Sequence, residues 1–224
     1  MIVFPARKFC FLLLVIATAL SVISFVLQLV LWSTGSHVGG LVFLMNVDLE
    51  QNVPTWFSSI LHFLVFLVLT TIAVLTKNSA RPYFLHWAFV ALLFGLFSLD
   101  EVASIHDQLP VKLFPNLNTF WRWIFPGSLF VLLLSVVLIP FVKSLPTEIK
   151  NRLFVGWSVF FGGALVVEYP ARLVAHTVGE HAPLYDLLTT IEEGCEMVGV
   201  ILILRALLLY LAAEFNDVHL QIRD

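Results

Sequence analysis

Six apolar runs, each about as long as a helix needs to cross roughly 30 Å of hydrocarbon, dominate the chain. They cover approximately residues 9–32, 56–75, 83–104, 123–142, 153–176 and 187–211. A helix satisfies its own backbone donors and acceptors, which lipid cannot do for it. The predicted fold is therefore all-α: an integral membrane protein, one polytopic domain over residues 1–224, built as a six-transmembrane-helix bundle. Composition agrees, with 60% hydrophobic and 12% charged residues and a mean hydropathy of +0.98. Soluble domains carry about 45–50% apolar and about 25% charged residues. The same numbers exclude a disordered, collagenous or disulfide-stapled chain, and a net charge of -3 with scattered basic residues gives no nucleic-acid partner.

Lys and Arg set the expected orientation. With the N-terminus in the cytoplasm, Arg7, Lys8, Lys77, Arg81, Lys143, Lys150, Arg152, Arg205 and Arg223 flank the inner ends, while Lys112 and Arg122 lie outside. Both termini are thus expected to be cytoplasmic, with the protein in the inner membrane if the source is bacterial. Arg7 and Lys8 followed by an Ala17-x-Ala19 pattern imitate a secretory signal, but the apolar run continues to Trp32, longer than a cleavable core of about 7 to 15 residues. An uncleaved first span is expected. Connections are short apart from residues 33–55, where Gly39, Gly40, Asn46, Asp48, Glu50, Asn52 and Pro54 interrupt any regular pattern. Asn52, Pro54 and Thr55 mark a helix start, and the segment is placed to cover a site from outside.

Once topology is fixed, the polar residues of the spans fall into one layer. Asp100, Glu101 and His106 lie toward the outer end of span three, and Glu168, Arg172 and His176 toward that of span five. Span six enters from outside through Glu192, Glu193 and Glu196, about 8 to 15 Å deep at 1.5 Å per residue. His62 of span two reaches the same depth. Glu192 and Glu193 each share a face with Glu196, and Glu168, Arg172 and His176 step by four along another, with Pro170 loosening the helix between them. Phe94-Gly95 precedes Glu101 with the spacing by which Phe161-Gly162 precedes Glu168, a faint internal match that would set both glutamates at one depth. His106 stands about 140° from Glu101 on an ideal helix, so it joins that face only if the helix unwinds before Pro110.

Six carboxylates (Asp100, Glu101, Glu168, Glu192, Glu193 and Glu196) thus face a single Arg172. Each charge inside a span costs at least about 2.5–3.5 kcal/mol. Shared protons, a bound cation or a water-filled cavity must offset the remainder. Oxygen and nitrogen donors of this kind suit a divalent metal ion, Zn, Fe, Mn or Mg, with Glu101, His106, Glu168, His176, Glu193, Glu196 and His62 as ligands and Arg172 to hold an anionic group. The sequence carries neither a Glu-x-x-His pair nor His-Glu-x-x-His; residues 176–181 read H-T-V-G-E-H. The leading expectation is a small metal-dependent membrane enzyme acting on a lipid or lipid-soluble substrate, with Glu101, Glu168, Arg172, Glu192, Glu193 and Glu196 as its chemical groups. A proton- or cation-coupled transporter or channel subunit is the second reading, and a polar core that only fixes helix packing the third. The expected partners are membrane lipids and a second copy of the chain. Cys10 and Cys195 lie at different depths and are expected to be free thiols.

Overall fold

A computed structural model describes residues 5–113, 121–180 and 182–215, with the backbone alone described at 106, 107, 110, 111 and 121–125. Arg223 and the side chains of His106 and Arg122 therefore lie outside the described residues. Among the described residues every regular element is helical: α1 (Ala6–Thr34), a 3-10 turn (Val38–Gly40), α2 (Leu41–Met45), α3 (Val53–Asn78), α4 (Phe84–Ala103), α5 (Ile105–Leu113), α6 (Trp121–Ser144), α7 (Thr147–Phe161), a π-helical segment (Gly162–Val167), α8 (Glu168–Thr177) and α9 (Pro183–Glu214). Six helices, counting α7 through α8 as one, are long and apolar enough to span a membrane. Each predicted span coincides with one of them, the third overrunning α4 by one residue at either end, at Tyr83 and Ser104. Local chemistry sets the ends: α1 stops where Gly35 turns left-handed (φ 69°) and its N–H donates to Leu31 O at 2.8 Å. Pro183 opens α9 at its first turn, where a missing N–H costs nothing.

The core runs along α9, which buries Met197, Val200, Ile201, Ile203, Leu204 and Leu207 at 2% exposure or less. Burying side chains of that size releases about 1.5–3 kcal/mol each where the alternative is water. In lipid that gain is absent, and packing and close backbone approach take its place. α7 and α9 achieve it with glycine. A Cβ on Gly199 would lie 2.6 Å from Phe160 N and 2.7 Å from Phe160 Cβ, and one on Gly163 would lie 2.7 Å from Glu192 O. The two helices therefore touch backbone to backbone beside the acidic turns of α9. α3 and α4 are clasped by a reciprocal serine pair: Ser59 Oγ donates to Ser98 O at 2.8 Å, and Ser98 Oγ donates to Ser59 O at 2.9 Å.

The bundle departs from straight helices at two places, both beside the acidic layer. At the end of α4, Ser104 adopts a left-handed conformation (φ 50°) and donates its N–H to Asp100 O at 2.7 Å. The chain turns there, before Pro110, and continues as α5. Ahead of α8, residues 162–167 form π-helical turns, and Glu168 N–H donates to Gly163 O, five residues back. Pro170 explains the widening, because its ring nitrogen cannot donate and its ring would crowd the Val166 carbonyl of a tight α-turn. The faint Phe-Gly match between spans three and five therefore does not extend to geometry, since Gly95 sits inside the regular helix α4.

Replacing Gly199 with Ala should lower stability by about 1–3 kcal/mol, because the added methyl meets the Phe160 backbone. Gly162→Ala, whose Cβ meets nothing within 4 Å, should be neutral or slightly stabilising. Denaturant titration of the two variants in one detergent checks the difference.

Candidate functional site

A cavity of about 180 Å³ opens near the end of the bundle that carries residues 35–52. Its walls come from α3, α4, α6, the end of α7, the π segment, α8 and α9. Asp100, Glu101, Glu168, Glu192, Glu193 and Glu196 all line it, as do Arg172 and His62, and residues 46–52 add Asp48 and Glu50 at its mouth. Asn52 holds that loop in place. Its amide donates to Leu49 O at 2.7 Å and its carbonyl oxygen accepts from Thr55 N at 3.1 Å, capping α3. Val47 N donates to Ser24 Oγ at 3.1 Å and fastens the loop to α1.

One half of the cavity is charge-balanced. Arg172 Nε donates to Glu168 Oε1 at 2.5 Å, an i,i+4 pair in which Glu168 keeps 7% and Arg172 36% side-chain exposure. Glu192 shares a hydrogen bond with the same Glu168 carboxylate, and two carboxyl groups in that contact hold a proton between them. Tyr185 Oη donates to Asp48 Oδ1 at 3.1 Å. Asp48 lies in a loop outside the spans and is exposed as a residue, yet its carboxyl shares the cavity with the other acids. Withdrawal from water pushes that carboxyl up to about 7 from an ordinary 3.8. The Tyr185 hydroxyl and Arg172 restrain the rise, while Asp186 and Glu180 add to it.

The other half is acidic. Glu193 is within electrostatic reach of Glu196, Glu101, Asp48 and Glu50. Beneath it His62, 1% exposed, is packed among Phe94, Phe97 and Phe160 with ring centroids 5.9–6.0 Å away. A carbonyl can only accept, so the 3.0 Å contact of His62 Nδ1 with Ser58 O puts the proton on Nδ1. Glu101 Oε1 stands 3.7 Å from the same nitrogen. His62 Nε2 is buried with no hydrogen-bond partner among the described residues. His62 thus turns its proton-bearing Nδ1 toward Ser58 O and Glu101 and leaves Nε2 as its acceptor nitrogen.

Part of the ligand set expected for a divalent metal lines the cavity and part does not. Among the described residues no three His, Cys, Asp or Glu side chains are arranged to hold a metal ion. His176 is exposed toward the end of α8 and does not line the cavity, and the His106 side chain is outside the described residues. Glu168 is engaged by Arg172, and His62 Nδ1 by Ser58. Of the seven expected ligands, Glu101, Glu168, Glu193, Glu196 and His62 line the cavity. Cys10 and Cys195 are free thiols, as expected.

Sequence reasoning passed over Asp48, Glu50 and Tyr185 as site residues. A signal existed for the tyrosine: Tyr185, Thr189, Glu192 and Glu196 recur every three or four residues and form one stripe of α9. For Asp48 the signal is long-range, because only the tie to Ser24 fixes where the loop lies.

The comparison with known families decides where the chain belongs. It is a member of the family described as Domain of unknown function (DUF8692). The match spans residues 10–211, and so takes in the described parts of all six spans and every cavity carboxylate from Asp48 to Glu196. Neither a curated protein nor a solved structure matches the chain.

Glu168→Gln leaves the Arg172 guanidinium without its partner and should cost about 1–3 kcal/mol, less than for a fully enclosed pair because Arg172 is partly exposed; thermal unfolding in detergent measures it. Asp48, raised in the fold, binds its proton more tightly there than in the unfolded chain. Its contribution favours folding at low pH and is lost as pH rises from about 4 to about 7. Between about pH 5 and pH 8 the wild type should therefore lose more thermal stability than Asp48→Asn.

Proposed function

We propose that the protein binds a cation in the acid-lined cavity and exchanges it for protons, as a proton- or cation-coupled transporter or channel subunit. One observation carries the reading: eight carboxylates share about 180 Å³ with one guanidinium that is already committed to Glu168. Two carboxylates about 5 Å apart repel by about 3 kcal/mol at an effective dielectric constant of about 20. A set of eight is stable only with protons or a cation among its members, and each can displace the other.

The walls support the same reading. The acidic half opens toward Asp48 and Glu50 at the loop, and Phe97, Phe160 and Phe161 line its other side. Carboxylates backed by aromatic faces attract a positive charge from both directions. His62, between the acids and the Phe rings, offers a proton acceptor at the inner limit of the chamber. A solute passing further would have to part the rings of Phe94, Trp157 and Phe160, packed 5.5–6.0 Å apart. The second reading, an acid-base membrane enzyme, draws on the 3.7 Å approach of His62 to Glu101, a proton-transfer couple open to a lipid-soluble substrate.

Calorimetric titration of the purified protein with sodium, potassium, magnesium, zinc and methylammonium, each in two buffers of different ionisation enthalpy, tests the proposal. At least one of these cations should bind with release of about one proton or more, and Glu193→Gln with Glu196→Gln should abolish the release. No proton release with any cation would overturn the reading. Tight binding of zinc alone, with loss in Glu101→Gln, would restore the metal-dependent enzyme in its place.

A further inference from the structure

We propose a second site, at the opposite end of the bundle from the acid cavity: a cleft between α1 and α9 that binds the phosphate of an anionic phospholipid. The cleft encloses about 520 Å³ and is lined by Arg7, Lys8, Arg205, Phe11, Leu14 and Leu202, with Cys10 and Ile201 at its floor. Three cations from two helices converge on it, and among the described residues no carboxylate lines it.

Arg205 makes the case specific. It lies nine residues before the end of α9 at Glu214, about 13 Å along the helix, where a charge in lipid is costly unless an opposite charge meets it. Two other arginines near this end are matched within the protein: Arg81 Nη1 pairs with Glu214 at 2.9 Å and Arg152 Nη2 with Glu148 at 2.8 Å. Among the described residues no ion pair involves Arg7, Lys8 or Arg205. No described residue supplies the counter-charge, and an anionic headgroup would provide it.

The surroundings select a lipid over a free anion. Phe11 is 66% exposed on the flank of the cleft, and Leu14 and Leu202 continue the apolar wall toward mid-bilayer, a surface for an acyl chain below a headgroup. α1 begins here with no acidic residue in its first turn and no side-chain cap, so its free N–H groups add positive potential beside Arg7 and Lys8. A headgroup phosphate held by two residues of α1 and one of α9 would tie the first span to the last.

The experiment uses the full chain in a neutral detergent, with phosphatidylglycerol, phosphatidylcholine or inorganic phosphate added, and reads thermal unfolding together with lipid retained in native mass spectrometry. Phosphatidylglycerol should raise the unfolding temperature and remain bound at one copy per chain. Its affinity should fall about fivefold in Arg205→Gln and about 100-fold in the Arg7→Gln, Lys8→Gln, Arg205→Gln triple variant. Should the triple variant not fold, Arg205→Gln against Arg205→Lys gives the same reading, because lysine keeps the charge and should keep most of the binding. An equal shift from phosphatidylcholine, or retention unchanged in the variants, would overturn the proposal. A matching shift from inorganic phosphate would replace the lipid with a free anion.

Discussion

Backbone contact between α7 and α9 is the constraint on which the rest of the molecule depends. In lipid, apolar side chains gain little by leaving one hydrocarbon for another, so helices associate where their backbones can come close. Gly163 against Glu192 and Gly199 against Phe160 provide that approach. It fixes the rotation of α9 and with it the direction in which Glu192, Glu193 and Glu196 point. The same approach brings Glu168 within reach of Glu192. Acid chemistry and helix packing are thus consequences of one set of small residues, and the cavity cannot be redesigned without disturbing the seam.

Polar groups in the cavity are arranged by how much charge compensation each receives. Glu168 has a guanidinium on one side and a hydrogen-bonded acid on the other. Asp48 has a tyrosine hydroxyl. Glu193 has acids for neighbours. This gradient, from balanced to unbalanced, gives the cavity a polarity of its own, with Glu193, Glu196 and Glu101 at its acidic side. His62 stands beyond them.

Much of this was legible in the sequence because hydropathy and residue counting report depth directly. The six spans and the common level of Glu101, Glu168, Glu192, Glu193 and Glu196 come from counting along helices of known rise. Helix ends were less legible: α9 begins at Pro183, earlier than hydropathy alone indicates, because its first turn is polar and only the proline marks it. His176 was misplaced because stepping by four from Glu168 assumes the cavity continues along the helix, whereas the helix outlasts it. Asp48 and Glu50 were hidden for a different reason. A loop declares its own turns but not the surface it lies on, and that surface is set by a serine twenty-three residues away. Spacing also shows which donors can meet, and not that an arginine already holds one of them, Glu168.

The π-helical turns ahead of Glu168 restrict how this chain can vary. They accommodate one residue more than an α-helix would over the same rise. Loss of a single residue between 162 and 167 would let the segment relax to ordinary winding with Glu168 and Arg172 still turned to the chamber, because the residue removed is the surplus one. A residue lost from the regular turns between Glu168 and Arg172 would instead part the two by about 100°, so tolerance of deletion changes abruptly where the wide turns end.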